Sequence, residues 1–129
     1  MDVVTDASAF LAVILSETDR NWVIRKTLGK TIVSPDVLPY EIGNALFAMK
    51  KRRQLSEREV LRAFDLSQKI NVRLLSVRIR EALKISIHNN IYAYDAYYLQ
   101  CCLENKLSLI SLDKRMCSVA GRLGIKVVE

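Results

Sequence analysis

Asp6, Glu41, Asp95 and Asp113 are the residues of this sequence whose placement calls for chemistry. Asp6 directly follows the β-branched run Val3-Val4-Thr5, and Asp113 directly follows Leu109-Ile110-Ser111-Leu112. Glu41 and Asp95 fall on the apolar sides of predicted helices. Burying an ionised carboxylate is costly unless it is paired or ligates a cation. Four that converge in space would form an all-oxygen site for a hard divalent ion such as Mg²⁺ or Mn²⁺. Such an ion makes its bound water more acidic and neutralises charge on transferring phosphoryl oxygens. Without it the carboxylates repel one another, which should hold at least one of them above its usual pKa.

Each acid also has a structural explanation. An Asp just before a helix is a good N-cap, and Asp6, Asp95 and Asp113 all precede helical patterns. If the turn before Asp95 is helical, its neighbours are Ile91, Tyr92, Tyr98 and Leu99, and it faces an apolar stripe. Glu41 reads as interior to its helix, on the inward stripe of Leu38, Ile42, Ala45, Leu46 and Met49. Capping does not account for it there; a buried ion pair with Arg or Lys is the competing explanation. Asn44 is read as a second polar residue on that stripe, able to hydrogen-bond a carboxylate or a metal-bound water.

The elements that would position these groups follow from periodicity and punctuation. Strands are predicted at residues 3–5, 31–33, 72–75, 107–112 and 125–128. Helices are predicted at 7–15, 19–28, 37–53, 57–69, 78–89, 94–105 and 114–123. Pro39 falls in a first turn, where proline is tolerated. Ser56-Glu57-Arg58-Glu59 is a capping box, and Gly29 stops the second helix. Short, nearly all-apolar strands alternating with helices predict a parallel sheet covered on both faces. In such sheets, ligands bind outside the carboxyl ends of the strands, where Asp6 and Asp113 would lie.

Composition sets the frame. The 129 residues fit one domain, 1–129, able to bury roughly two-thirds of its unfolded surface. The 20 Lys and Arg against 14 Asp and Glu give a formal charge of +6, which favours an anionic partner. Cys101, Cys102 and Cys117 form no CxxC and are odd in number, which predicts free, packing thiols in a reducing compartment. A single histidine, His88, excludes a Cys/His zinc site. With neither a leader nor a membrane-length apolar run, the chain is expected to be cytoplasmic.

The segments 3–8, 34–46, 94–99 and 109–113, in this order and spacing, resemble the PIN domain. Within that family they resemble the VapC-type ribonuclease toxins of prokaryotic toxin–antitoxin pairs. The resemblance implies a PIN-like three-layer α/β/α sandwich with a four- or five-stranded, mainly parallel sheet. It implies an endoribonuclease using Mg²⁺ or Mn²⁺, with Asp6, Glu41, Asp95 and Asp113 as catalytic quartet and Asp6, Asp95 and Asp113 toward the metal. Ser8 and Ser111 fall where the family often has a hydroxyl near the metal, although position 111 is commonly Thr. Asn44 follows Glu41 by three, as the family pattern has it. The resemblance also implies a homodimer and a cognate VapB-type antitoxin protein, with RNA as substrate.

Other residues carry weaker signals. Lys114 and Arg115, next to Asp113, are candidates for substrate phosphate contact. Lys50-Lys51-Arg52-Arg53 reads mainly as a solvated helix C-terminus. Tyr92, Tyr94, Tyr97 and Tyr98 read mainly as core or dimer packing, with base stacking as the alternative. Two other functions fit parts of the pattern. A phosphoacceptor protein would use Asp6 as an aspartyl-phosphate site, but leaves Glu41 unexplained. A non-catalytic binding module would use the carboxylates as caps and ion-pair partners.

Overall fold

The computed structural model describes all 129 residues. The elements run β1 (Asp2–Thr5), α1 (Ala7–Ile14), α2 (Arg20–Thr27), β2 (Thr31–Pro35), α3 (Leu38–Lys51) and α4 (Glu57–Gln68). They continue with β3 (Arg73–Leu75), α5 (Ile79–Asn89), α6 (Ala93–Asn105), β4 (Ser108–Ile110) and α7 (Lys114–Arg122). The sheet has four strands in the order β3-β2-β1-β4, and every pairing is parallel. The α/β class and parallel sheet are as the alternation predicts. The fifth strand is not formed: residues 125–128 contribute one parallel bridge, Val127 to Leu109. Gly124, at φ +79°, turns the chain back beside β4 for that contact only.

Register and the two-residue period of a strand sort the core onto the two faces. Val4 pairs with Val33 and with Leu109, and all three join the larger cluster, which also holds Phe10, Leu46 and Leu99. Val3 and Ile110 turn to the other face, into a smaller cluster with Ala9, Ala12 and Val23 of α1 and α2. Helix α6 packs across β1, β2 and β4, so its N-terminus reaches the carboxyl edge of the central strands. No helix is long and apolar enough to cross a membrane.

The helix starts decide where the acids stand. Asp6 caps α1 and Asp113 caps α7 through their side chains, and Ser56 with Glu59 forms the predicted capping box of α4. Helix α3 begins at Leu38, so Glu41 lies in its first turn rather than its interior. Helix α6 begins at Ala93, so Asp95 is also a first-turn residue and caps nothing. The three cysteines are free, with Cys101 and Cys102 buried.

Candidate metal centre

Strand β1 delivers Asp6 to the carboxyl edge of the sheet, and pairing with β4 extends one residue further because the Asp6 N–H donates to the Ile110 carbonyl at 3.3 Å. The Asp6 side chain is 2 % exposed. Its Oδ1 accepts from the Ser8 hydroxyl at 2.7 Å and the Ala9 N–H at 3.2 Å, and its Oδ2 accepts from the Ser111 hydroxyl at 2.5 Å. The two serines are themselves fixed. Ser8 Oγ accepts from the Leu112 N–H at 3.0 Å, and Ser111 Oγ accepts from the Asp113 N–H at 3.0 Å. Segments from opposite ends of the sequence thus hold one another through a single carboxylate. Burial raises the Asp6 pKa, the three hydrogen bonds offset part of that, and the charge of Asp113 adds to the rise.

Asp113 Oδ1 accepts from the Met116 N–H at 3.0 Å. Capping and proximity to Asp6 therefore coexist in Asp113, as they do in Asp6. Glu41 is half-buried, and its Oε1 accepts from the Tyr98 hydroxyl at 3.0 Å. Burial raises the Glu41 pKa, the Tyr98 bond lowers it, and Asp6 and Asp95 raise it further. Asp95 is half-buried too; burial and the charges of Asp113 and Asp6 raise its pKa, and no hydrogen bond contributes. Asp6, Glu41 and Asp95 therefore each feel the charge of at least one other acid at this edge of the sheet.

The molecule has three ion pairs, Arg73–Asp2, Arg78–Glu104 and Lys84–Glu81, and none involves the four acids. The ion-pair explanation for Glu41 is overturned, and its polar partner is Tyr98. The side chains are not drawn into a ready coordination sphere, since no three of them close around one point. The donor set nonetheless fits a hard cation. A carboxylate oxygen can accept twice, so Asp6 Oδ2 keeps a lone pair, Asp113 and Glu41 each keep a free oxygen, and Asp95 keeps both. Mutual repulsion with no ion pair to any Lys or Arg is the condition a bound divalent ion would relieve.

Ser8 and Ser111 both donate their hydroxyls to the Asp6 carboxylate. Asn44 is a correction: it is solvent-exposed and off the inward stripe. Three residues advance a helix by about 60° short of a full turn, so the series Leu38, Glu41, Asn44 walks from the core to the surface. Tyr98 is the residue whose contact with the candidate site sequence reasoning did not find. It is fully buried, as packing predicted, but its hydroxyl ends at Glu41. Burial and the adjacent Glu41 charge push its own pKa far up, so it stays a donor. Lys114 and Arg115 are exposed, and Arg115 Nη2 donates to the Asn90 carbonyl at 2.7 Å. Lys50, Lys51, Arg52 and Arg53 are exposed at and beyond the C-terminus of α3, where cations complement the helix dipole.

Comparison with known proteins bears on the family and the fold. A family model described as "PIN domain" matches residues 3–122. Among solved structures, "Crystal structure of PAE2754 from Pyrobaculum aerophilum" aligns with a TM-score of 0.71 at 21% identity, covering 92% of this chain and 79% of that one. That likeness concerns the fold alone. No curated protein matches the chain.

Proposed function

Because the chain belongs to the PIN domain family, whose members are generally nucleases, we propose that it is a metal-dependent endoribonuclease of the VapC type. The observation that carries the reading is that Asp6, Glu41, Asp95 and Asp113 stand near one another at the carboxyl edge of the sheet and none of them is in an ion pair. Asp6, Asp95 and Asp113 would hold Mg²⁺ or Mn²⁺. The ion supplies an activated water and screens charge on the phosphoryl oxygens. Ser8 and Ser111 lock the Asp6 carboxylate in place, which preserves the direction of its free lone pair. Glu41, held by Tyr98, would orient water rather than bind the ion tightly. Hydrolysis by this route leaves a 5′-phosphate and a 3′-hydroxyl.

Burial argues against the phosphoacceptor alternative. A nucleophilic Asp6 would need an open oxygen, whereas its carboxylate is 2 % exposed and three donors converge on it. The test is cleavage of mixed single-stranded and structured RNA with Mn²⁺, Mg²⁺ or EDTA. Asp6→Asn and Asp95→Asn are each expected to lower metal-dependent cleavage by more than about 100-fold, beyond the usual loss from an outer partner. Asparagine still caps a helix, so the fold survives in Asp6→Asn. Undiminished cleavage by both variants would overturn the assignment, and absence of metal binding would favour a non-catalytic module. The toxin assignment adds a growth test: arrest on expressing the wild type but not Asp6→Asn, relieved by a VapB-type antitoxin. Arrest by both proteins would contradict it.

A further inference from the structure

A cleft of about 270 Å³ lies beside the carboxylates, lined by Asn90, Ile91, Tyr92, Asp95 and Arg115. It shares Asp95 with the candidate metal centre, so a molecule seated in it reaches that centre. Two of its residues keep groups free that the fold does not use. Tyr92 occupies the N-cap position of α6, makes no side-chain capping bond, and leaves its side chain in water at 84 % exposure. Ser, Thr, Asp or Asn would serve that position better as a cap. Its neighbours are committed elsewhere: Tyr94 and Tyr97 pack edge to face at 6.0 Å, and Tyr98 is buried against Glu41. Tyr92 therefore presents an open aromatic face at the mouth of the cleft.

Arg115 stands in the first turn of α7, where the helix dipole disfavours a cation. The Asn90 carbonyl holds one end of its guanidinium at 2.7 Å, and Asn90 reaches it from a left-handed turn at φ 52° closing α5. The remaining N–H donors are uncommitted. Arg115 and Asp95 line the same cleft, yet the two form no ion pair. An anchored guanidinium, an open aromatic face and a shared metal carboxylate match the parts of one nucleotide: phosphate, base, and the bond to be cut. Stacking on one exposed ring requires a base free of its own helix.

We propose that this cleft binds the nucleotide adjoining the scissile phosphate, with its base stacked on Tyr92 and its phosphate on Arg115, so that the protein selects unpaired RNA at that point. The proposal rests on the nuclease reading for the identity of the reacting bond, but binding tests it separately. The probe is a single-stranded oligoribonucleotide carrying 2-aminopurine, whose fluorescence falls on stacking. It is titrated in Mg²⁺ into Asp113→Asn protein, in which Asn keeps the α7 cap and cleavage is suppressed. The parent is expected to quench the probe saturably. Adding Tyr92→Ala should remove the quench and weaken binding roughly 5- to 150-fold, while Tyr92→Phe should retain both. Adding Arg115→Ala should weaken binding and lower the salt slope by about one charge, with quenching at saturation kept. The same strand in a duplex should bind no better than single-stranded probe binds Tyr92→Ala. No saturable quenching in the parent, or unchanged binding by a folded Tyr92→Ala, overturns the subsite. Absence of metal- and Asp6-dependent cleavage instead overturns the nuclease and leaves the binding result standing.

Discussion

At the scale of the residue, Asp6 shows how a buried carboxylate is kept usable. Three donors hold it, and two of these are hydroxyls that are themselves held by backbone N–H groups. Ser111 is the more exposed to challenge, since its one oxygen serves both Asp6 and the Asp113 N–H. Ser111→Ala is expected to cost about 1–3 kcal/mol of stability, because a buried carboxylate and an N–H both lose their partner. It should also weaken Mn²⁺ binding roughly 10- to 100-fold. Urea midpoints and a Mn²⁺ titration check this, and Ser111→Thr should restore both. Asp6 and Asp113 were legible in the sequence because strand ends and helix starts are marked by local residue types. Tyr98 was not, because a buried tyrosine looks like packing until the group beyond its hydroxyl is known. Asn44 misled because three-residue spacing from Glu41 continues toward solvent, not along the stripe.

At the scale of the element, most starts and stops were legible from caps. One exception has an identifiable cause. Helix α6 begins ahead of the prediction because Tyr92 gives no capping signal. Residues 125–128 carry strand-like apolar types but pair with β4 at one bridge only. What caps and periods do not reveal is which outward faces stay apolar. Ile79, Leu83 and Ile87 recur every four residues along α5, and Tyr40 and Phe47 are seven apart on α3; all five are exposed. Tyr40, Ile79 and Tyr97 meet around a second cleft, of about 430 Å³. We propose this face as the homodimer contact. A stable dimer typically buries about 800 Å² on each partner. Light scattering is expected to give twice the 14.7 kDa of the chain, and Ile87→Asp should shift it to the monomer without loss of helicity. A wild-type monomer at micromolar concentration would rule the contact out.

At the scale of the whole molecule, the raised carboxylates set a pH dependence. Burial and mutual charge lift Asp6, Glu41 and Asp95 above their unfolded values. Between the two values the folded chain keeps a proton that the unfolded chain has released, so stability falls as pH rises through that window. The penalty is complete above the raised values. Glu59 and Glu81 are held low and act in the opposite direction, but both are fully exposed and their effect is confined to lower pH. In EDTA the Tm should therefore fall as pH is raised from the ordinary carboxylate range through the raised values. Mn²⁺ should reverse the fall, with a gain that grows with pH, and Asp6→Asn should flatten the slope. Melting curves with and without Mn²⁺ decide it; a Tm gain independent of pH would contradict the linkage.

The hydrogen bonds that join residues 6–8 to residues 111–113 also set an order in time. A ribosome releases Ser111 more than a hundred residues after Asp6. Until then Asp6 has no Ser111, β1 lacks β4 along one edge, and Asp113 does not yet exist. Nascent chains and products of premature termination therefore carry an incomplete centre. An activity that needs the whole centre therefore waits until almost all of this domain has been translated.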